Sequence, residues 1–310
     1  MFRNKNFLIT GGTGSFGHAF IRKIIKFRPP KIVVYSRDEF KQSEMAREFD
    51  YEGMRFILGD IRDKERLARV ISGMDINYIV HAAALKQVPM LEYNPTEAVQ
   101  TNINGAVNII ESCNHTGVER VINLSTDKAV NPINLYGATK LCAEKIFTAA
   151  NAYTAKKTIF ASVRYGNVIG SRASVIPFFQ KLKEQKIKTF PITDERMTRF
   201  WITLEQAVDT VLRALEWMEG GEIFIPRLPS MKVVDVARAI DADCDIKIIG
   251  IRPGEKLHET LVSEDNKNVW FIDGEIRKKA TDIFSSNTND KWMTINELRT
   301  ILCFSDGKKA

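Results

Sequence analysis

Phenol, hydroxyl, carboxyl and amino groups that could move protons lie in two nearby stretches of the sequence. Tyr136 and Lys140 form a Tyr-x-x-x-Lys pattern, and this spacing places both side chains on one face of a helix. A Thr-Asp-Lys tripeptide at 126–128 directly follows the predicted strand 118–125. Ligands bind at the carboxyl ends of strands in parallel sheets, so the tripeptide is placed for chemistry. A surface Asp-Lys pair in a loop is the alternative interpretation.

A glycine-rich turn reads Gly-x-x-Gly-x-x-Gly and stands between the predicted strand 7–10 and the predicted helix 15–27. Glycine there allows a tight turn, a close approach of the backbone to a pyrophosphate, and close contact between helix and strand. The unpaired N–H groups at the start of the helix favour phosphate. We therefore predict a dinucleotide site, rather than a plain turn, at Gly11, Gly14, Ser15, Phe16 and Gly17.

The residues after the second predicted strand decide which dinucleotide fits. NAD-dependent proteins place a carboxylate here for the ribose hydroxyls, whereas a basic residue accommodates the 2′-phosphate of NADP. Ser36 and Arg37 occupy this place, and Lys41 lies one turn further on. Asp38 could bind the ribose, but it could equally cap the following helix, which is the interpretation we favour. The sequence therefore predicts NADP as the cofactor.

The next two strands are expected to complete the cofactor site. Asp60 and Ile61 end the third predicted strand, where the adenine should lie. Ala82 and Ala83 end the fourth, and their small side chains would let the backbone approach the cofactor.

Apolar strands alternate with amphipathic helices through the first half of the chain, which predicts a parallel sheet. The fold class is α/β, a Rossmann-type doubly wound sheet with a smaller C-terminal substrate-binding lobe. We expect the NADP-binding domain at 1–166 and a mainly substrate-binding lobe, interleaved with the core, at 167–310.

The predicted strands are 7–10, 31–35, 54–58, 78–81, 118–125 and 158–163, the last of which closes the main sheet. The predicted helices are 15–27, 38–49, 63–71, 95–115 and 136–153, and the polar segment after 263 shows no clear pattern until 295–301.

Composition limits the classes of protein that are possible. The formal charge of +7 suits an anionic ligand such as a nucleotide, and no basic stripe interleaved with aromatic residues points to nucleic acid. The four cysteines are widely spaced, and neither they nor the four histidines have metal-ligand spacing, so we expect no metal and a reduced, cytoplasmic compartment. No apolar run approaches the ~20 residues that span a bilayer, and the start resembles no signal peptide. We expect a soluble protein.

The Tyr-Lys pair downstream of the glycine motif resembles the extended short-chain dehydrogenase/reductase family. This resemblance implies that Tyr136 moves the proton of the carbinol being oxidised. It implies that Lys140 holds the nicotinamide ribose and that its charge lowers the pKa of Tyr136. Thr126 can supply the hydroxyl that polarises the substrate oxygen.

The two residues after Thr126 exceed what simple hydride transfer needs. They resemble the hexose 4,6-dehydratases, which have Thr-Asp-Glu at this place as a hydroxyl, an acid and a base. The resemblance implies that Asp127 is the acid and that Lys128, which stands in place of the glutamate, is the base. A base lysine must be neutral, so we expect a dry site or a neighbouring cation such as Lys140 to lower its pKa.

Several further stretches resemble the soluble, inverting UDP-N-acetylglucosamine 4,6-dehydratases, of the kind that begins pseudaminic acid synthesis for flagellin glycosylation. The shared stretches are 10–17, 35–39, 81–86, 88–89, 124–140, 164–168, 197–201 and 249–259. The resemblance implies a nucleotide-sugar substrate and a homo-oligomer, and it implies that Lys86 also contacts the cofactor. The substrate residues that it implies are Lys86, Asn167, Arg172, Val175, Thr193, Arg199, Arg252 and Glu255.

Two departures and three alternatives accompany this resemblance. Ala173 replaces a usual glycine, and the chain after 261 is shorter than usual and matches poorly. Arg199 and Arg252 could instead form structural ion pairs. The alternative functions are a nucleotide-sugar 4-epimerase, which has no use for the Asp-Lys pair, a retaining 4,6-dehydratase, and a non-enzymatic NADP-binding regulator.

Overall fold

The short apolar runs of the sequence form buried strands, and the amphipathic segments between them form helices. A computed structural model describes residues 1–154, 158–171, 174–266 and 268–305. The strands are β1 (Phe7–Thr10), β2 (Ile32–Ser36), β3 (Met54–Leu58), β4 (Tyr78–His81), β5 (Arg120–Leu124), β6 (Ile159–Val163), β7 (Asn167–Val168), β8 (Thr189–Ile192), β9 (Thr198–Ile202), β10 (Ile223–Pro226), β11 (Ser230–Lys232), β12 (Asp245–Ile248), β13 (Thr260–Val262), β14 (Val269–Asp273), β15 (Ile276–Lys279) and β16 (Phe284–Ser285). The helices are α1 (Ser15–Ile24), α2 (Glu39–Glu48), α3 (Lys64–Gly73), α4 (Val88–Glu92), α5 (Pro95–Ala98), α6 (Gly105–Cys113), α7 (Leu135–Tyr153), α8 (Val175–Glu184), α9 (Leu204–Trp217), α10 (Val233–Ile240) and α11 (Ile295–Ser305).

The main sheet has nine strands in the order β15-β14-β10-β6-β5-β4-β1-β2-β3. All neighbours pair in parallel except β14 and β15, which are antiparallel. The order β3-β2-β1-β4-β5-β6 is that of the Rossmann fold, so the predicted fold class is confirmed. The prediction that the strand at 158–163 closes the sheet is wrong, because β10, β14 and β15 extend it beyond β6.

Helices cover both faces of the sheet. Alternate residues of β1 show why: Phe7 and Ile9 pack in one core cluster, with residues of α1 and α9, while Leu8 packs in the other, with residues of α3, α6 and α7. Strands buried on both faces read as continuous apolar runs, which is the pattern from which they were predicted.

Side chains that cap helices fix where several of them begin. Asp38 and Asp63 each accept a hydrogen bond from a backbone N–H three residues later, so α2 and α3 begin at the next residue. The interpretation of Asp38 as a cap is therefore confirmed. Asn94 precedes α5 without capping it, and its side-chain amide donates a hydrogen bond to the carbonyl of Met90. The predicted helix at 95–115 is interrupted by a π-helical turn, Val99–Asn104, between α5 and α6.

A second, smaller core lies in the later part of the chain. Phe179 of α8, Phe190 of β8, Ala237 of α10 and Leu298 of α11 belong to one buried cluster. Strands β11, β9 and β7 form a three-stranded sheet, and β12 pairs with β8. None of the described helices is both long and apolar enough to cross a membrane.

Candidate active site

A cleft of about 660 Å³ opens at the carboxyl ends of β1, β2, β4 and β5. Doubly wound sheets bind ligands at this edge, so the cleft is the leading candidate for the functional site. It brings residues predicted as cofactor contacts next to residues predicted for catalysis. The predicted residues that line it are Gly11, Gly14, Ser15, Phe16, Gly17, Ser36, Arg37, Asp38, Lys41, Asp60, Ile61, Ala82, Ala83, Lys86, Thr126, Lys128, Tyr136, Lys140, Asn167 and Val175.

Other predicted site residues do not line this cleft. They are Asp127, Thr193, Arg199, Arg252 and Glu255. Asp127 is fully buried beside Lys128, and Thr193 is also buried. The predicted phosphate ligand Arg172 and the departure at Ala173 lie outside the described residues.

The glycine loop is shaped to receive a phosphate group. Gly11 has a φ of +65°, and a Cβ at this position would lie 2.8 Å from the backbone of Ala83. A Cβ on Gly17 would lie 2.0 Å from the carbonyl oxygen of Gly12, so only glycine allows α1 to pack this closely. Helix α1 begins at Ser15, its N-cap residue Gly14 has no side chain to cap it, and its first turn contains no acidic residue. Its N–H groups and dipole are therefore left to bind an anion.

Charged side chains surround the cleft near the end of β2. The guanidinium of Arg37 lies 3.5 Å from the carboxylate of Asp60 and is about half exposed. The carboxylate of Asp38 pairs with the ammonium of Lys41, and this hydrogen bond holds the pKa of Asp38 below its usual range. Arg37, Asp38 and Lys41 all line the cleft, and the carboxylate of Asp38 is engaged with Lys41 and with the helix that it caps.

The Thr-Asp-Lys tripeptide forms a tight turn at the end of β5. The Thr126 hydroxyl accepts a hydrogen bond from the Lys128 backbone N–H at 3.3 Å and donates one to Asp127 Oδ1 at 3.0 Å. Lys128 Nζ lies 3.0 Å from the same carboxylate oxygen and 3.3 Å from the amide oxygen of Asn167. These contacts hold the Lys128 ammonium at the cleft while Asp127 stays fully buried.

Helix α7 packs directly on this turn. A Cβ at Gly137 would lie 2.1 Å from the carbonyl oxygen of Lys128, so glycine is required for this approach. Asn134 caps the helix by accepting a hydrogen bond from the Gly137 N–H at 2.8 Å. As a result Tyr136, in the first turn of α7, interacts with the Thr126 hydroxyl and with the charge of Lys128.

Lys128 is held as a cation, contrary to the expectation from sequence. Burial alone would lower its pKa, but the carboxylates of Asp127 and Glu259 raise the pKa above its ordinary value. The prediction that the pKa of Lys128 is lowered is therefore wrong for the protein without ligands, because the two carboxylates raise this pKa by more than burial lowers it. For Lys128 to act as a base, its proton must first move to another group. Asp127 Oδ1 lies near enough to take it.

Tyr136 and Lys140 also differ from expectation. Burial raises the pKa of Tyr136, and Lys128 and the Thr126 hydroxyl partly offset the rise. The cation that acts on Tyr136 is therefore Lys128 and not, as predicted, Lys140. Lys140 is almost fully buried, and burial lowers its pKa to about 8 although Glu144 opposes the shift. Lys140 was expected to lower the pKa of Tyr136 and Lys128 to have a lowered pKa. Instead, Lys128 acts on Tyr136, and Lys140 has the lowered pKa.

Sequence reasoning missed Glu259, a buried carboxylate behind Lys128. Its oxygens lie 3.5 Å from Lys128 Nζ, 3.9 Å from Arg199 Nε and 3.7 Å from Lys256 Nζ. We call these four residues the Glu259 cluster. The available signal was position, because Glu259 is the last residue of the shared stretch 249–259.

Arg199 belongs to this cluster rather than to the cleft. Its guanidinium is buried and donates hydrogen bonds to the backbone carbonyls of Thr198, Lys256 and Leu257 at 2.7–3.1 Å. These contacts use three of the five N–H donors of the guanidinium, and the group is buried away from the cleft. The structure therefore favours the ion-pairing alternative for Arg199.

Arg252 and Glu255 lie on a loop that covers the start of α7. Their side chains form an ion pair, and Asn134 donates to the carbonyl of Gly254 at 2.8 Å. Burial alone would raise the pKa of Glu255, but Arg252 lowers it below its usual range. The Arg252 side chain is 60% exposed, so it is free to turn toward a ligand.

The fold and the cleft define an α/β dinucleotide-binding protein of the short-chain dehydrogenase/reductase type. Among the described residues, no group of three or more His, Cys, Asp or Glu side chains could hold a metal ion. The family model described as "Polysaccharide biosynthesis protein" matches residues 7–277, so the chain belongs to this family.

Individual relatives are more specific. The chain is 49% identical to the UDP-N-acetylglucosamine 4,6-dehydratase (inverting) of Campylobacter jejuni subsp. jejuni serotype O:2, over 99% of this chain and 100% of the relative. It is 38% identical to a UDP-glucose 4-epimerase of Rickettsia bellii, over 97% of this chain and 96% of that protein. The X-ray structure of Pen from Bacillus thuringiensis is 34% identical and superposes with a TM-score of 0.90, with 100% of both chains covered.

Proposed function

We propose that this protein is an inverting UDP-N-acetylglucosamine 4,6-dehydratase, a hydro-lyase. Its product would be UDP-2-acetamido-2,6-dideoxy-β-L-arabino-hex-4-ulose plus water. The observation that carries this proposal is the Asp127–Lys128 pair, held at 3.0 Å beside Tyr136 in a dinucleotide-type cleft. The relative named as such an enzyme matches almost the whole chain, which supports the same conclusion.

The glycine loop and the first turn of α1 would hold the cofactor pyrophosphate, and Lys140 the nicotinamide ribose. We propose NADP, because Arg37 is half exposed at the cleft while Asp38 is engaged as a helix cap. A bound nicotinamide would supply reversible hydride transfer between carbons 4 and 6 of the sugar. The cofactor is therefore not consumed.

Tyr136 and Thr126 would act at the hydroxyl on carbon 4. Thr126 polarises the substrate oxygen, and Tyr136 takes its proton as carbon 4 is oxidised. Burial raises the pKa of Tyr136, so the nearby charge of Lys128 is needed to favour the phenolate. The resulting ketone acidifies the hydrogen on carbon 5.

Asp127 and Lys128 would share the proton that elimination needs. Transfer of this proton from Lys128 to Asp127 gives a neutral amine and a carboxylic acid. The amine removes the hydrogen on carbon 5, and the acid protonates the hydroxyl that leaves carbon 6 as water. Because Asp127 is fully buried, its proton reaches the substrate through the Thr126 hydroxyl at 3.0 Å. The two transfers restore the ammonium and the carboxylate, so the pair ends as it began. Once hydride has returned to carbon 6, the remaining enolate would take one proton from water at carbon 5, and Tyr136 would release to solvent the proton that it took from the carbon 4 hydroxyl.

The sugar and the nucleotide would occupy the side of the cleft opposite the glycine loop. Lys86, Asn167 and Val175 line this region and would contact the sugar. Arg252 would turn from Glu255 toward the diphosphate, which leaves Glu255 for the uridine ribose. We further propose a cytoplasmic homo-oligomer that acts in a pathway of the pseudaminic acid type, with the cofactor domain at 1–166 and the mainly nucleotide-sugar-binding lobe at 167–310.

Mass spectrometry of the product from UDP-N-acetylglucosamine tests this proposal. We expect loss of one water without net formation of NADPH. A product of unchanged mass with inverted carbon 4 would instead support a 4-epimerase, the activity for which the Rickettsia relative is named. A reaction in deuterium oxide should place one deuteron on carbon 5, and NMR couplings after reduction of the ketone report its configuration. A fresh product of D-xylo configuration would contradict inversion.

A further inference from the structure

We propose that Glu259 is a positioning residue that holds Lys128 at the cleft as an ammonium ion and so keeps the shared proton on the Asp127–Lys128 pair. The proposal rests on the proposed function, because it assigns that pair the proton used in elimination. Glu259 itself lies behind the cleft wall and would not touch the substrate.

The placement of Glu259 is well determined. It directly precedes β13, and its backbone N–H donates to the hydroxyl of Ser286 at 3.0 Å. Its side chain is 3% exposed, so its charge is weakly screened by solvent. Among the described residues, Oε2 has no hydrogen-bond partner, so this carboxylate is stabilised by neighbouring cations.

The charged groups around Lys128 come from several elements. Asp127 lies on its own turn, Tyr136 on α7, Arg199 on β9, and Lys256 and Glu259 on the segment before β13. With all of them ionised except Tyr136, three cations face two carboxylates. Without Glu259, three cations would share the single carboxylate of Asp127. Arginine does not lose its proton in proteins, so the pKa values of the two lysines are the ones that would fall.

Lys128 is the lysine that we expect to respond. It lies 3.5 Å from Glu259 Oε1 and is 21% exposed, so solvent can take up its proton. Lys256 is the competing candidate, because burial already lowers its pKa and Glu259 opposes that shift, while its hydrogen bond to the carbonyl of Val130 favours its charged form. A purely structural Glu259 would neutralise Arg199 and Lys256 and leave the protonation of Lys128 unchanged.

Competitive labelling of lysines with acetic anhydride tests the inference on the whole protein without substrate. Only the neutral amine reacts, and mass spectrometry reports the Lys128 and Lys256 peptides separately. An opposite charge nearby raises a lysine pKa by roughly 1–3 pH units, so Glu259→Gln should label Lys128 roughly 10- to 1,000-fold faster at a fixed pH. The control is Glu222→Gln, which removes a buried carboxylate 3.2 Å from Arg277, with neither residue lining the cleft, and should leave Lys128 labelling unchanged.

Two results would overturn the inference. One is a folded Glu259→Gln variant that labels Lys128 at the parental rate. The other is acceleration confined to Lys256. If the glutamine variant does not fold, Glu259→Asp carries the test, since withdrawing the carboxylate by one methylene should still accelerate Lys128 labelling.

A second readout links the charge to the reaction. Where dehydration is detected, the alkaline limb of the kcat–pH profile should move to lower pH in Glu259→Gln by the amount that labelling gives for Lys128. If the alkaline limb of the profile stays at the parental pH, Glu259 does not control the proton that Asp127 and Lys128 share in elimination. Labelling needs no turnover, so a protein that does not dehydrate UDP-N-acetylglucosamine would refute the proposed function and leave the charge measurement valid.

Discussion

Removal of Arg164 should destabilise the protein strongly, because it would leave a buried carboxylate without its partner. Arg164 and Glu144 are each 1% exposed and form a bidentate pair, with N–O distances of 3.0 and 2.6 Å. Breaking a buried pair from one side costs about 3–5 kcal/mol. We therefore expect Arg164→Met to lower the free energy of unfolding by about that amount.

A double variant separates the charge from the other contacts. Arg164 also donates to the carbonyl of Leu261 at 2.6 Å and to the side chain of Asn266 at 2.9 Å. In Arg164→Met with Glu144→Leu no unpaired charge remains, but these buried acceptors lose their donor, at about 1–3 kcal/mol. The double variant should therefore be more stable than the single one. The control is Lys23→Met, which breaks an exposed pair with Asp209 and should cost less than about 1 kcal/mol.

Urea unfolding followed by circular dichroism measures these differences, provided that the slope with denaturant stays constant across the series. A loss below about 1 kcal/mol in Arg164→Met would refute the reasoning, because exposed pairs already reach that value. A double variant as unstable as the single one would show that the backbone contacts, and not the charge on Glu144, dominate.

Three further predictions concern the cleft. Arg37→Ala should erode a preference for NADP over NAD by about 1–3 kcal/mol in binding titrations, and equal affinities in the parent protein would contradict that preference. Lys128→Met should slow dehydration by about 10²- to 10⁴-fold while a trace of 4-keto sugar still forms with reduced cofactor, whereas a near-parental rate would remove Lys128 from the mechanism. Burial lowers the pKa of Lys140 from 10.5 to about 8, so the unfolded chain binds more protons between these values and stability should rise with pH there. Urea unfolding across this range should show a free energy of unfolding that rises more with pH, or falls less, in the parent protein than in Lys140→Met.

Most strands of the first half were predictable because they are buried on both faces, as β1, β2 and β4 are, whereas β3 at the edge of the sheet is only partly buried. Strands β1, β3 and β4 have the predicted bounds, and each is a short apolar run that ends at a turn. The far edge of the sheet was not predictable in the same way. Strand β15 reads Ile-Arg-Lys-Lys and is mostly exposed, so it has no hydrophobic pattern, and its pairing with β14 depends on a hairpin in a polar segment.

The chemical identity of the site residues could be proposed from sequence, but their charge states could not. The spacing of Tyr136 and Lys140 depends only on helix geometry, and both line the cleft. The pKa of Lys128 depends on Glu259, which is distant in sequence and reaches it only through the packing of the segment before β13. Local patterns contain no information about such a contact.

The Glu259 cluster also gives a physical reason for the second carboxylate beside a lysine acid–base residue. A buried glutamate in place of Lys128 would stay ionised only beside a cation. Arg199 or Lys256 could be that cation. A lysine needs the opposite charge beside it. The same two cations would lower the pKa of Lys128, and a carboxylate in addition to Asp127 opposes that effect. Glu259 meets this need from behind the cleft wall, 3.5 Å from Lys128 and without occupying substrate space. A lysine at position 128, where the related dehydratases have glutamate, can therefore work with Asp127 as an acid–base pair only when the segment before β13 is folded and places Glu259 beside it. The activity of Lys128 should thus depend on the second half of the chain.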